Sequence, residues 1–215
     1  MENAKSETET ATTGTATTRI SIVRHGQTDW NLHRRIQGST DIPLNSAGRA
    51  QAAEAGVAIR TRHWDAIVAS PLQRADETAR IIAGELGLPS PHIIAELTER
   101  HHGQIEGLTF AERQERFPDG VLVPGLESRQ DVLARVLPAL GRVAAAHEGQ
   151  SVLVVTHGGV IGTLIRHTTG GARPRHDELI GNGSVHDFVW RDGELVLEHF
   201  DATVRASGEA SPTIR

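Results

Sequence analysis

Ser151-Val-Leu-Val-Val155-Thr156-His157-Gly158-Gly159 decides the reading of this chain. An unbroken apolar run of this length fits a strand buried on both faces, as in a parallel sheet covered by helices. It stops abruptly at a histidine and two glycines, after which Val160-Ile161 opens another apolar, helical stretch. The same design occurs near the start, where Arg19-Ile-Ser-Ile-Val23 runs into Arg24-His25-Gly26.

Outward from these two strands, the chain alternates helix and strand. Asn45 or Ser46 can cap a helix reaching about Thr61, and Ala66-Ile-Val-Ala69 reads as a short strand. Ser70-Pro71 then leads into a helix that should end near Gly87. Thr109 begins a short helical segment. Ser128 to about His147 is a longer amphipathic one, with Val132, Val136, Leu140 and Val143 at helical spacing and Pro138 predicting a kink or break. Val185–Trp190 and Glu194–Phe200 flank Asp192-Gly193 as a hairpin. This order predicts a three-layer α/β fold with a mostly parallel central sheet flanked by helices. Ligands of such folds bind beyond the carboxyl ends of the strands, where both histidines would meet. One domain is expected over 19–203, between a disordered tail at 1–18 and a flexible one at 204–215, the last fifteen residues having a disordered composition.

Composition narrows the function. Hydrophobic content of 38%, charged content of 23% and a mean hydropathy of -0.30 describe an ordinary soluble chain with no apolar run long enough to cross a bilayer. The net charge is -5, and Lys5 is the only lysine, so neither a nucleic acid nor a membrane surface is an expected partner. Isolated arginines can still grip one phosphate. Without cysteine there is no disulfide, thiolate metal site or thiol catalysis, and the twelve histidines become the obvious reactive groups. The first residues lack the basic start and apolar core of a signal peptide, which predicts a cytoplasmic protein.

Arg24-His25-Gly26 places a cation, an imidazole and a backbone able to approach a ligand at one strand end. Such a tripeptide alone is usually a satisfied polar residue beside a surface arginine. Four companions change that reading. Arg74, in Ser70-Pro-Leu-Gln-Arg74, opens a helix whose dipole also favours an anion; the plain alternative is a surface pair with Glu77 or Asp76. Glu99 supplies a carboxylate that could protonate a leaving oxygen and later deprotonate water. His157 can donate to a phosphate oxygen, and Gly158 can add a backbone N–H. His157-Gly-Gly-Val-Ile-Gly162 is a dinucleotide fingerprint with its first glycine replaced by histidine, late in the chain, and is discounted.

In this order the motifs resemble those of the histidine phosphatase superfamily, which contains the cofactor-dependent phosphoglycerate mutases and many phosphatases, over about residues 19 to 200. The resemblance implies a phosphoglycerate mutase-like fold, a phosphohistidine on His25, a phosphoryl group held by Arg24, Arg74 and His157, and Glu99 as proton donor. It also implies that Asn31 and the pair Gln37-Gly38 line the phosphate end. Two arginines and a histidine can offset phosphate charge without magnesium, so neither metal nor cofactor is expected. His25 must then present an unprotonated nitrogen, its other ring nitrogen donating to a backbone carbonyl.

Glu99-Arg-His-His-Gly103 resembles the mutase form of its segment. The lysine that mutases place shortly afterwards is replaced by Phe110, and the insertion with an arginine pair is missing, while Pro124-Gly-Leu-Glu-Ser128 resembles the short phosphatase connection. Hydrolysis of a small phosphorylated metabolite is therefore the leading expectation, with mutase action and non-catalytic phospholigand binding as alternatives. The leaving group is expected near His33, Arg34, His101, His102, Gln104, Glu106 and the loop from Phe117 to Glu127. Oligomeric state is not readable.

Overall fold

The computed structural model describes residues 17–204. Most of the two expected tails lies outside these residues. Where it does not, the regular structure reaches further than expected: Thr18 opens the first strand and Thr203–Val204 form the last.

The elements are β1 (Thr18–Arg24), α1 (Asp29–Leu32), α2 (Ser46–Ile59), β2 (Ala66–Ala69), α3 (Gln73–Leu86), β3 (His92–Ile93), α4 (Phe110–Arg116), α5 (Arg129–Ala146), β4 (Ser151–Thr156), α6 (Gly158–Thr168), β5 (Glu178–Leu179), β6 (Val185–Arg191), β7 (Glu194–His199) and β8 (Thr203–Val204). The main sheet has the order β3-β2-β4-β1-β6-β7, and β5 pairs with β8 in a separate ribbon. β1, β2, β3 and β4 run parallel, and the β6–β7 hairpin adds an antiparallel edge next to β1.

Both faces of the parallel strands are covered, which explains their uninterrupted apolar sequences. Ile20, Ile22, Val152 and Val154 pack against Val136 and Leu140 of α5 and Ile161 and Leu164 of α6. The alternate residues Val23, Leu153 and Val155 pack against Ala55 and Ile59 of α2 and Ala79 and Ile82 of α3. A one-residue slip in register would exchange these sets and misplace both layers.

Of the two cap candidates for α2, Asn45 takes the role and accepts from the Gly48 amide, while Thr109 and Ser128, where two later helices are expected to start, form capping boxes with Glu112 and Asp131. Gly87 ends α3 in the left-handed conformation. Pro138 neither breaks nor terminates α5, which runs through it. The carbonyl that loses its partner belongs to Ala134, and both residues lie on the exposed face, where that carbonyl is open to solvent. Of the elements unread in the sequence, α1, β3, β5 and β8 have two to four residues each, too few for a periodicity.

Candidate active site

Strand register creates the site. Arg24 pairs with Thr156 across β1 and β4, so His25 and His157 are each the first residue past a parallel strand end, and the His25 amide donates to the Thr156 carbonyl at 3.0 Å. Their ring centroids lie 5.1 Å apart at 59°. Both side chains are buried, which favours the uncharged imidazole. His25 is held well below its usual pKa, first by desolvation and then by the Arg24 and Arg74 charges; His157 is held down by desolvation, Arg74, His25 and Arg24.

Each imidazole is oriented through one nitrogen. His25 Nδ1 lies 2.7 Å from the Gly26 carbonyl, an oxygen that can only accept, so Nδ1 carries the proton and Nε2 keeps its lone pair. His157 Nε2 lies 2.7 Å from Ser70 Oγ, while its buried Nδ1 has no partner among the described residues. The Gly26 amide donates to Thr78 Oγ1 at 3.1 Å, and Gly26 packs on Gly48 so closely that a Cβ would sit 2.2 Å from the Gly48 carbonyl oxygen. Glycine at 26 is thus a packing requirement.

Arg74 is completely buried, not the surface residue of the plain alternative: Glu77 pairs with Arg49, and Asp76 with Arg80. Its two terminal nitrogens donate to the Thr40 and Gly38 carbonyls at 2.8 and 2.7 Å, leaving Nε unpartnered among the described residues. Arg24 donates to the Ile180 carbonyl at 2.6 Å and likewise has a buried Nε without a partner. A Cβ on Gly158 would come within 3.2 Å of that Nε, so glycine there gives the guanidinium its place against α6. Burial lowers the pKa of both arginines, which the Glu99 charge opposes. The floor thus concentrates positive charge and unpartnered donors, an arrangement suited to an anion.

Glu99 is buried rather than solvated, and its carboxylate caps α6, whose N-cap residue His157 offers no side-chain cap. Oε2 accepts from the Gly159 amide at 3.0 Å, and Oε1 from the Val160 and Arg100 amides at 3.2 and 2.8 Å. A Cβ on Gly159 would stand 2.6 Å from Oε1. Oε2, with one amide donor, keeps capacity for a second proton-bearing group.

Arg24, His25, Glu99 and Gly158 line a cavity of about 360 Å³, together with Asn31, Gln37 and Gly38; Arg74 and His157, both fully buried, are not among its lining residues. Asn31, Gln37 and Gly38 therefore share a cavity with His25. The Asn31 side chain is also part of the α1 capping box with Thr28, and Gly38 adopts φ 58° beneath Glu106. Of the residues expected around the leaving group, only His102 lines the cavity. His33 Nδ1 instead lies 2.8 Å from the Asp29 carbonyl, the His101 amide donates to Glu127, and Gln104 joins Pro124 through the backbone. Arg34 and the loop 117–127 are likewise not among the lining residues. Glu106 is a scaffold: it accepts from the Ser39, Thr40 and His102 amides, each at 3.0 Å, and from Thr40 Oγ1 at 2.5 Å. It thereby fixes the carbonyls that hold Arg74.

Sequence reasoning missed Ser70, Thr78 and Asn182, whose amide donates to the His25 carbonyl at 2.9 Å, and the outer wall formed by Arg100, Arg129, Arg166 and the segment 174–180. Gly181-Asn-Gly183 carried a turn signal, but none of the others had a local one. A larger groove of about 480 Å³ runs between β3 and α5, where Glu96 pairs with Arg142 and Asp65 accepts from the Ser151 amide. Among the described residues that line it, no comparable set of unpartnered groups is found. Among the described residues no three His, Asp or Glu side chains converge as a metal site, and no helix is long and apolar enough to cross a membrane.

The chain matches the model of the histidine phosphatase superfamily (branch 1) over residues 20–203. It is 35% identical over 191 residues to the uncharacterized phosphatase PhoE of Bacillus subtilis (strain 168), covering 89% of this chain and 98% of that protein. Phosphoglycerate mutase-like relatives also match. The mycobacterial glucosyl-3-phosphoglycerate phosphatase Rv2419c superposes with a TM-score of 0.77 at 30% identity, covering 87% of this chain and all (100%) of that one. A mutant phosphoserine phosphatase of Entamoeba histolytica, solved in complex with phosphoserine, gives 0.70 at 30% identity, covering 86% and 96%. This chain belongs to the histidine phosphatase superfamily.

Proposed function

We propose that the protein is a metal-independent phosphomonoesterase acting on small phosphate esters through a phosphohistidine on His25. The observation that carries this reading is the tautomer lock: Gly26 holds the Nδ1 proton, so Nε2 keeps its lone pair as an uncharged nucleophile in the site that Arg24 and the buried Arg74 make positive. The names of the relatives support the same class, several being phosphatases.

In the first step His25 Nε2 attacks phosphorus in line. The phosphorus–oxygen ester bond breaks, and Glu99 Oε2 gives its proton to the departing alcohol. Arg24, Arg74, the unpartnered His157 Nδ1 and the Gly158 amide hold the equatorial oxygens, doing with fixed donors what a metal ion does elsewhere. In the second step water attacks the phosphohistidine and gives a proton to Glu99, and the phosphorus–nitrogen bond breaks to release phosphate and neutral His25. Hydrolysis is favoured over mutase action by the absence of the mutases' lysine at Phe110 and of their arginine-pair insertion, which would keep a product in place. The site would act in the cytoplasm.

Incubation with an aryl phosphate in excess chelator tests this. Phosphate should be released, and His25→Ala should reduce the rate by about 10³-fold or more, as expected for loss of a covalent nucleophile. Release that requires added metal, or that survives His25→Ala, would overturn the proposal.

A further inference from the structure

His186 and Phe188 are alternate residues of β6, paired across β1 with Ile22 and Ile20, and the two isoleucines and Phe188 belong to the core beneath α5 and α6. His186 therefore stands on the core face of the sheet, where the pattern calls for an apolar side chain, and it is completely buried. Its ring packs on Phe200, the centroids 5.4 Å apart, and its buried Nδ1 has no partner among the described residues. A buried nitrogen left in that state is costly, so packing alone does not account for a histidine at this position.

The other ring nitrogen leads toward the active site. His186 Nε2 lies 2.9 Å from Ser184 Oγ, and Ser184 Oγ lies 2.7 Å from the Gly181 carbonyl. A carbonyl oxygen can only accept, so the serine proton points to Gly181 and Nε2 carries the proton between His186 and Ser184. Burial, which lowers the His186 pKa to about 4, keeps the ring uncharged with that single proton.

The turn that this chain of donors closes, residues 180–184, grips Arg24 at three points. The Arg24 amide donates to the Ser184 carbonyl at 3.1 Å, and the Gly183 amide donates to the Arg24 carbonyl at 3.0 Å. Arg24 Nη1 donates to the Ile180 carbonyl at 2.6 Å. Arg24 itself lines the cavity of His25, whereas Ser184 and His186 are not among its lining residues.

We propose that Ser184 and His186 are positioning residues: through the Gly181 carbonyl they hold the turn 180–184, and the turn aims the Arg24 guanidinium at the phosphoryl group. The proposal rests on the phosphatase reading for the task of Arg24. A ligand titration tests it without turnover.

In calorimetric titration with inorganic phosphate, Ser184→Ala and His186→Leu should each weaken binding about tenfold, because a displaced guanidinium loses its aligned hydrogen bonds. On the aryl phosphate, kcat/KM should fall with the affinity, and Ser184→Ala should cost nothing further in an Arg24→Ala background, a coupling that a purely structural role would not produce. Ser184→Ala deletes one oxygen and keeps the test open should His186→Leu fail to fold, as thermal melts would reveal. Unchanged phosphate affinity in either folded variant, or a loss of the same size with and without the Arg24 side chain, would overturn the proposal. Failure of the phosphatase reading would appear separately, as absence of His25-dependent phosphate release from the aryl ester, and the phosphate titration would still decide the positioning.

Discussion

The two ends of the cavity are built on opposite plans. At the floor, His25, Arg74 and His157 are buried, and each is tied by hydrogen bonds to backbone or to Ser70. At the outer wall, the arginines come from α5, α6 and the segment after Glu99. The floor follows from one sheet register and two strand ends, whereas the wall requires three distant segments to be folded before it exists. The placement of the two histidines is therefore a property of the sheet, and the lining of the outer cavity a property of the packing around it.

The largest effect separating the two ends is expected at Glu99. Glu99→Gln should lower kcat by about 10²- to 10³-fold for an alkyl phosphate, the range for loss of a general acid, and by less for an aryl phosphate whose leaving group needs no proton. Steady-state rates on the two esters would check this. Equal losses on both would reduce Glu99 to a helix cap and break the division between chemistry and scaffold.

Glu106 tests how rigid the floor must be. Its pKa is lowered although burial pulls it upward, because the hydrogen bonds from Thr40, His102 and Ser39 favour the carboxylate. Glu106→Ala would leave several amides without an acceptor and should cost about 2–4 kcal/mol in urea unfolding. With Gly38 and Thr40 loosened around Arg74, kcat/KM should fall about tenfold for every phosphate ester, because an arginine misplaced at the floor is felt by all of them.

A smaller effect concerns pH. Burial lowers the pKa of His186 to about 4, and His25 and His157 also lie well below 6.5. Unfolded, these groups titrate near 6.5, so between the folded and unfolded values the unfolded chain binds more protons. Their contribution to stability is complete above pH 6.5 and is lost as pH falls toward the folded values. Denaturant melts should show a slope of about 1.4 kcal/mol per pH unit for each differential proton. His186→Gln should flatten that slope between pH 6 and about 4.

The floor was legible because each component is a local signal: an apolar strand that stops at Arg24-His25-Gly26 or Thr156-His157-Gly158, an arginine at a helix start, a glutamate in Leu97-Thr-Glu99. The capping residues were legible for the same reason, since a cap and its amide are three residues apart. Glu106 and Glu99 were harder. Nothing in the chain distinguishes a carboxylate that holds a loop together from one that faces a leaving group, and only the positions of the Ser39, Thr40 and Gly159 amides do so. Pro138 shows the converse, since its cost depends on which face of α5 turns outward.

The sequence by itself determined that two histidines end adjacent parallel strands and that arginines and a glutamate accompany them, because strand ends, helix starts and their punctuation are read within a few residues. Only the tertiary structure decided which arginines line the cavity. Arg129 and Arg166 carry no local signal in the chain, and they line one cavity because α5 and α6 pack on one face of the sheet.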